Sequence, residues 1–273
     1  MKKLSTIKTD ILFFPHPKSI VVIILFAQLA LLGGCASTLD YDPAVLRFDT
    51  PEATGKTLGG SVSMISGFTP NRELGRTRPD IEDGINDEES LDEFTQTDLS
   101  TGARLDIGFF ESVDIYYRNL LDTPNIVGIK LQVLGQHRKQ NTKGFKMAFS
   151  AEYGIKETDT SNGIYASDTV TRTMYNYDIA VNIGYRINKN LIVYNNNFYN
   201  YNYIHGFLGN HEKKGYGKIF GSLIGARVGG GSRGGYAGVE YGLSFVKWPH
   251  TGGVNAGLRE RTQSLGVNLG YAW

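Results

Sequence analysis

The sequence predicts an all-β fold of about ten antiparallel, amphipathic strands. First, the 273-residue chain contains 34 Gly and 16 Tyr but a single Cys and eight Pro, which fits one glycine- and aromatic-rich β domain better than two α/β domains. Second, apolar residues alternate with polar or small ones in about ten segments from residue 57 to the C-terminus. Third, this two-residue period of a β-strand is clear in the last residues of the chain, from Leu265 to Trp273.

The N-terminus predicts a secretory signal. Four Lys precede an apolar segment over residues 20–32, interrupted only by Gln28. This segment is shorter than the roughly 20 residues that a membrane-spanning helix needs. Its end, Leu-Gly-Gly followed by Cys35, resembles the lipobox of bacterial lipoproteins. The resemblance implies a lipoprotein signal peptide over residues 1–34 and a diacylated Cys35, produced by the lipoprotein processing and sorting machinery. The alternative is an ordinary signal peptide beside a buried thiol.

The charge of the mature chain excludes one class of partner. Without residues 1–35 the formal charge changes from +1 to −2, because four Lys and one Asp are removed. A near-neutral chain has no basic surplus for binding nucleic acid, so no nucleic-acid partner is expected. Ala36 and Ser37 follow the cysteine, without the Asp that favours retention at the inner membrane in the lipoproteins it resembles. The destination implied is the outer membrane.

The C-terminal strand suggests how the fold closes. One of its faces is apolar, with the alternate positions Val267, Leu269, Tyr271 and Trp273. A chain that ends on this pattern resembles the C-terminal strand of bacterial outer-membrane β-barrels. The resemblance implies an up-and-down antiparallel transmembrane β-barrel in which the last strand pairs with the first. It also implies that these four residues form an assembly signal, read by the barrel assembly machinery.

The mature chain divides into two parts. Residues 35–56 contain two Pro and no sustained period, so we interpret them as the lipidated N-terminus and a periplasmic tether. Residues 57–273 are expected to form the barrel, with their apolar rows facing lipid. The predicted strands lie near residues 57–68, 103–110, 113–118, 127–133, 145–156, 175–186, 191–203, 216–227, 237–245 and 258–273.

For two of these strands, the sequence pattern does not determine which face meets lipid. In residues 191–203 the apolar row changes phase across three consecutive Asn, which requires a β-bulge or outward-facing Asn. Residues 216–227 are nearly all Gly and apolar, so either face could meet lipid.

Several strands carry charges opposite an apolar row. A soluble, lipocalin-like calyx would expose these charges, whereas a membrane barrel turns them into its lumen. The two termini and the aromatic residues near strand ends favour the membrane barrel. The lumen would then contain either an interlocked ion-pair network or a narrow water path. The expected lumen residues are Arg104, Asp106, Asp114, Arg118, Lys130, Glu152, Lys156, Asp178, Arg186 and Glu240.

The connections predict an orientation. An even number of strands returns both termini to one side, and an acylated Cys35 in the periplasmic leaflet would put the first connection outside. That connection, residues 69–100, is the longest, and long outer loops are typical of such barrels. Between Asp80 and Asp98 it holds nine carboxylates and no Lys or Arg. A solvated loop is favoured over a Ca²⁺ site, since the spacing does not match an EF-hand. No metal or cofactor is therefore predicted.

The sequence predicts no catalytic site. His205, His211 and His250 fall in expected outer loops. A catalytic His needs a nucleophile or water and an orienting carboxylate within hydrogen-bond reach. The chain has neither the paired Asp or His and Asp residues of the omptin-like proteases nor a His and Ser pair spaced as in the lipid-A deacylases. No enzyme is therefore expected.

The leading hypothesis is a lipid-anchored and membrane-spanning outer-membrane barrel, in contact with outer-membrane lipid, that passes small hydrophilic solutes. The alternative is a closed barrel that serves as an anchor or binds a partner through its loops.

Overall fold

The computed structural model describes residues 37–41, 43–77, 95–121, 123–161, 169–208, 211–248 and 258–273. The predicted signal peptide and Cys35 lie outside this part of the chain, as does most of the acidic segment from Asp80 to Asp98. No helix in the described ranges is long and apolar enough to cross a membrane. The strands are β1 Ser37–Tyr41, β2 Gly60–Thr77, β3 Thr95–Phe110, β4 Val113–Leu120, β5 Asn125–Leu134, β6 Gly144–Ser161, β7 Thr169–Asn188, β8 Leu191–Leu208, β9 His211–Gly229, β10 Gly234–Trp248 and β11 Leu258–Ala272.

Ten of these strands form a closed barrel. From β2 to β11 each strand pairs antiparallel with its neighbour in sequence. The last strand then pairs with the first, from Leu265 opposite Phe68 to Ala272 opposite Ser61. The predicted all-β, up-and-down, ten-stranded antiparallel barrel is confirmed.

The two ends of the barrel differ. At the turn end lie Gly60, Trp273 and the connections between β3 and β4, β5 and β6, β7 and β8, and β9 and β10, which have two, nine, two and four residues. A single 3-10 turn, Arg138–Gln140, belongs to this end. At the other end, here called the loop end, β2, β4, β6, β8 and β10 end, and the longest interval between two barrel strands is the 17-residue connection from Thr77 to Thr95. That connection is shorter than expected because β2 and β3 stay paired as far as Arg72 opposite Thr95, beyond the point where their apolar alternation fades.

Strand β1 lies at the loop end, outside the ring of ten. It pairs antiparallel with the upper part of β2, from Ser37 opposite Thr77 to Tyr41 opposite Arg72. Strand β11 pairs with β2 only up to Phe68, so β1 takes the edge of β2 above that point. The described chain therefore starts at the end of the barrel opposite to the one at which β2 begins.

The outer surface is apolar and the inner surface polar. Along the strands, exposed and buried residues alternate, and the most exposed large apolar side chains include Met64, Ile224 and Leu269. Tyrosine rings contact one another toward the loop end, with centroids 5.3–6.4 Å apart. Exposed aromatics also lie near the turn end: Phe109, Phe110, Tyr185, Tyr271 and Trp273. An apolar band between aromatic belts is the surface that a membrane barrel presents to lipid.

The two ambiguous strands now have defined faces. Strand β8 pairs with β9 without a register shift, so the outward-Asn alternative applies: Asn195 and Asn197 share the outer face with Tyr199. The Asn195 Nδ2 donates to Ser222 Oγ (2.8 Å) and to the Leu223 carbonyl (3.0 Å), which satisfies its amide. Strand β9 presents its exposed apolar residues outward: Phe220, Ile224 and Val228.

The closing strand allows a depth-dependent test of lipid exposure. Val267 lies near the middle of the outward apolar row of β11, and Gln263 lies on the same face nearer the loop end. We expect Val267→Lys to lower the free energy of unfolding in lipid bilayers by about 2–4 kcal/mol, and Gln263→Lys by about 0–1 kcal/mol. Urea unfolding in liposomes, followed by tryptophan fluorescence, measures both. Equal, small losses would contradict lipid contact at Val267.

Candidate functional site: the barrel lumen

The lumen is occupied by the chain itself. Residues 43–55, here called the strap, are all buried, and they connect β1 at the loop end with the start of β2 at the turn end. The strap contacts inward-facing residues of six or more strands, here called the wall. This differs from the predicted tether over residues 35–56. The strap shows no strand period because its charged side chains point to different sides of the barrel.

Arg47 pairs with the acidic side of the wall. Its guanidinium donates to Asp178 on β7 at 2.7 Å and to Glu152 on β6 at 2.8 Å, and all three side chains are fully buried. Glu152 also accepts from Arg118 Nη2 at 2.7 Å and from the Tyr116 hydroxyl at 2.7 Å. Two buried carboxylates thus share two buried guanidinium groups, one of which comes from the strap.

Glu240 binds the strap through backbone groups. Its Oε2 accepts from the N–H of Arg47 at 3.0 Å and from the N–H of Phe48 at 2.9 Å, while Asn196 donates to Oε1 at 3.2 Å. Phe48 has a φ of 49°, in the left-handed region that non-glycine residues seldom adopt. Successive N–H groups that converge on one carboxylate oxygen offset the cost of this backbone conformation.

Asp49 faces the basic side of the wall. Its carboxylate lies 2.9 Å from Arg104 Nη2 and 3.3 Å from Lys130 Nζ. It also accepts from Asn182 Nδ2 at 2.8 Å. Arg104 in turn donates to Asp106 at 2.8 Å and to the carbonyl of Arg47 at 2.7 Å. Every described charge in this cluster therefore has an opposite charge or a strap carbonyl as its partner.

Glu52 faces a second basic cluster nearer the turn end. Arg186 donates to both of its carboxylate oxygens, with Nε at 2.7 Å from Oε1. Lys146 Nζ lies 3.5 Å and Arg227 Nη2 lies 3.8 Å from the same carboxylate. One strap carboxylate is therefore surrounded by three wall cations.

The last strap residues are fixed by their backbone. The N–H of Ala53 donates to Gln132 Oε1 at 2.6 Å, and the N–H of Thr54 donates to both oxygens of Asp114 at 3.0 Å. The N–H of Arg138, in the 3-10 turn, donates to the carbonyl of Ala53 at 2.9 Å. These contacts hold the strap where it leaves the lumen.

Apolar packing and glycines also fit the strap to the wall. Leu46 and Phe48 pack with Ile65 and Leu120, and Val45 belongs to a cluster that includes Phe198 and Leu223. Gly67 and Gly266 are paired across β2 and β11. A Cβ atom at these two glycines would lie 2.8 Å and 2.9 Å from the Leu46 methyl groups, so only glycine allows the strap to approach this closely.

The structure places the expected lumen residues as follows. Arg104, Asp106, Asp114, Arg118, Lys130, Glu152, Asp178, Arg186 and Glu240 are buried inside the barrel, and Lys156 is half-buried toward the loop end. Sequence reasoning missed their strap partners Arg47, Asp49 and Glu52. The available signal was a segment with charges of both signs among apolar residues, directly before the first barrel strand.

Two of the three candidate histidines lie within strands. His205 and His211 lie in β8 and β9 rather than in a loop, and His250 lies outside the described residues. Among the described residues, no group of three His, Cys, Asp or Glu side chains could hold a metal ion.

One Ser–His contact was not foreseen from the sequence. At the turn end, Ser112 Oγ lies 3.0 Å from His137 Nε2, between residues 25 positions apart. In the part of the chain that the structure describes, no carboxylate orients the other nitrogen of this ring. The pair therefore lacks the third group that activates a serine nucleophile.

Glu52→Gln tests the strength of the strap contacts. The change leaves three buried cations without their anion, and breaking such a buried pair costs about 3–5 kcal/mol. We expect the free energy of unfolding to fall by that amount in urea titrations. Glu111→Gln, which removes a carboxylate from an exposed turn, is the matched control and should change stability by less than about 0.5 kcal/mol. Equal unfolding midpoints for the two variants would show that the strap is not held by charge.

Comparisons with known proteins find only distant structural similarity. No family model and no curated protein matches the sequence. Among solved structures, Ail, the attachment invasion locus protein of Yersinia pestis, has 9% identity over 80% of this chain and 100% of its own, with a TM-score of 0.35. Its complex with the heparin analogue sucrose octasulfate gives a TM-score of 0.34. OmpT, an outer membrane protein of Vibrio cholerae, has 10% identity over 85% of this chain and 100% of its own, with a TM-score of 0.23. None of these similarities identifies a ligand or partner for this chain.

Proposed function

We propose that the chain is a closed outer-membrane β-barrel that acts through its surfaces and through the segment held in its lumen. The observation that carries this proposal is the strap, whose Arg47, Asp49 and Glu52 are each bound to wall residues of opposite charge. A solute path would require these buried pairs to separate, and unpaired charges in a low dielectric are costly. The geometry therefore favours the closed barrel over the small-solute pore.

The same proposal includes a direction. The longest interval between two barrel strands, residues 78–94, separates β2 from β3 at the loop end, and long loops on the outer side are typical of outer-membrane barrels. We place the loop end outside the cell, as the sequence suggests. Ser37 also lies at the loop end, opposite Thr77, so the strap carries the chain across the barrel.

This arrangement supports a role in presenting the N-terminus. The barrel would hold the strap in its lumen and deliver β1 to the outer side, and Cys35 would carry the lipid that the sequence predicts. Outer-membrane lipid, the barrel assembly machinery and the lipoprotein processing and sorting machinery are the partners proposed. A binding partner would meet the loop end. No catalytic role is proposed, because the Ser112–His137 pair lacks an orienting carboxylate in the described chain.

Conductance separates the sealed barrel from the pore. In planar lipid bilayers, we expect the refolded protein to pass no steady current, and a variant lacking residues 37–55 to show stepwise openings, because deletion removes the segment that fills the lumen. The triple variant R47S/D49S/E52S keeps the chain length and should open intermittently, which provides a second test if the deletion does not fold. A steady current through the wild type, equal to that through both variants, would restore the pore hypothesis.

Thiol labelling tests the direction of the chain. In intact cells, a membrane-impermeant maleimide should label Ser37→Cys, at the loop end. Ser232→Cys, in an exposed turn at the other end, should be labelled only after the outer membrane is permeabilised. The wild-type chain, in which Cys35 is expected to be acylated, measures the background. Labelling of Ser232→Cys but not of Ser37→Cys in intact cells would reverse the orientation.

A further inference from the structure

The outer face of β8 to β11 carries two adjacent rows of different character. The first row runs across four strands as Tyr199, Phe220, Phe245 and Arg261, each opposite the next in register. Its aromatic rings are well exposed, at 59% for Phe220 and 57% for Phe245. The second row lies on the same outer face, one step closer to the loop end. In it, Tyr201 is opposite Lys218, and Lys218 is opposite Lys247.

The first row and the two lysines of the second row line one groove of about 520 Å³. Lys218, Lys247 and Arg261 all contribute to it, with Glu260 as the one carboxylate in the lining. Lys218 and Lys247 are direct cross-strand neighbours, and like charges in that position destabilise a sheet. Among the described residues, no hydrogen bond or ion pair engages the side chains of Lys218, Lys247 or Arg261. The groove thus holds an excess of positive charge that the rest of the described barrel does not neutralise.

The groove lies beside the tyrosine belt near the loop end. Tyr201, the neighbour of Lys218, belongs to the tyrosine belt, since its ring is 6.1 Å from that of Tyr216 and 6.4 Å from that of Tyr177. Aromatic belts mark the boundary between hydrocarbon and headgroups. The cationic row lies on the loop side of the aromatic row. An anionic lipid has the same order of parts, with acyl chains toward the membrane centre and phosphate toward the water.

We propose that this groove binds the phosphorylated headgroup of a membrane lipid in the leaflet at the loop end. Lys218, Lys247 and Arg261 would contact the phosphate, and Phe220 and Phe245 would pack against the first part of an acyl chain. Bound phosphate would offset the repulsion between the two lysines. The site is separate from the lumen, so it does not depend on whether the strap seals the barrel.

Lipid retention in detergent tests this site without reference to membrane orientation. The full chain in dodecyl maltoside is titrated with bisphosphorylated lipid A, and bound lipid is counted by native mass spectrometry. We expect K218Q/K247Q to bind about 30-fold more weakly than wild type, because each lysine near an anionic lipid contributes the equivalent of roughly a fivefold change. K143Q/K189Q, which removes the same charge at the turn end, should bind like wild type.

Stability gives a second readout that a purely structural role for the lysines would not produce. Without lipid, K218Q/K247Q should unfold at the same or a higher temperature than wild type, because a like-charge pair is removed. Adding lipid A should raise the unfolding temperature of wild type and not that of this variant. Equal lipid A binding by wild type and K218Q/K247Q would overturn the proposal. Full displacement of lipid A by millimolar inorganic phosphate would also overturn it, by showing an anion site without lipid specificity.

Discussion

The structure depends on the match of charge between the strap and the wall. The barrel interior carries an acidic side around Glu152 and Asp178 and a basic side around Arg104 and Lys130, and neither could be buried alone in a low dielectric. Arg47 neutralises the first and Asp49 the second. The buried charges of the wall would be destabilising without those of the strap, and those of the strap without the wall. Barrel closure and insertion of the strap are therefore expected to be coupled.

This dependence explains several features that are otherwise unrelated. Gly67 and Gly266 leave room for Leu46 where β2 meets β11, at the seam that closes the barrel. Glu240 uses its carboxylate to hold strap backbone N–H groups rather than to pair with a wall cation. Charged lumen residues, which suggest a solute path when seen in isolation, serve here to bind a segment of the same chain. The proposed function therefore lies at the surfaces of the barrel: the loop end with β1, and the outer groove of β8 to β11.

The sequence by itself determined the architecture of the barrel, because strand periodicity is a local property. Ten segments with apolar and polar alternation were enough to predict ten strands, the outward faces of eight of them and the closing strand ending at Trp273. The inward position of the charged rows follows from the same alternation once one face must meet lipid. The ends of the strands were less predictable, since β2 and β3 remain paired beyond their apolar residues through backbone hydrogen bonds that have no signature in side-chain pattern.

Only the tertiary structure decided what fills the lumen and at which end the described chain begins. The strap has no strand period, and its side-chain hydrogen-bond partners in the wall lie 55 to 193 residues away. No local pattern therefore connects Arg47 with Asp178 or Asp49 with Arg104. A neighbouring strand likewise determines which face of β8 points outward, because Ser222 on β9 provides the hydrogen-bond partner that lets Asn195 face outward. Long-range pairing of charges and amides depends on which strands the closed barrel brings together, and this information is not present in any single segment of the sequence.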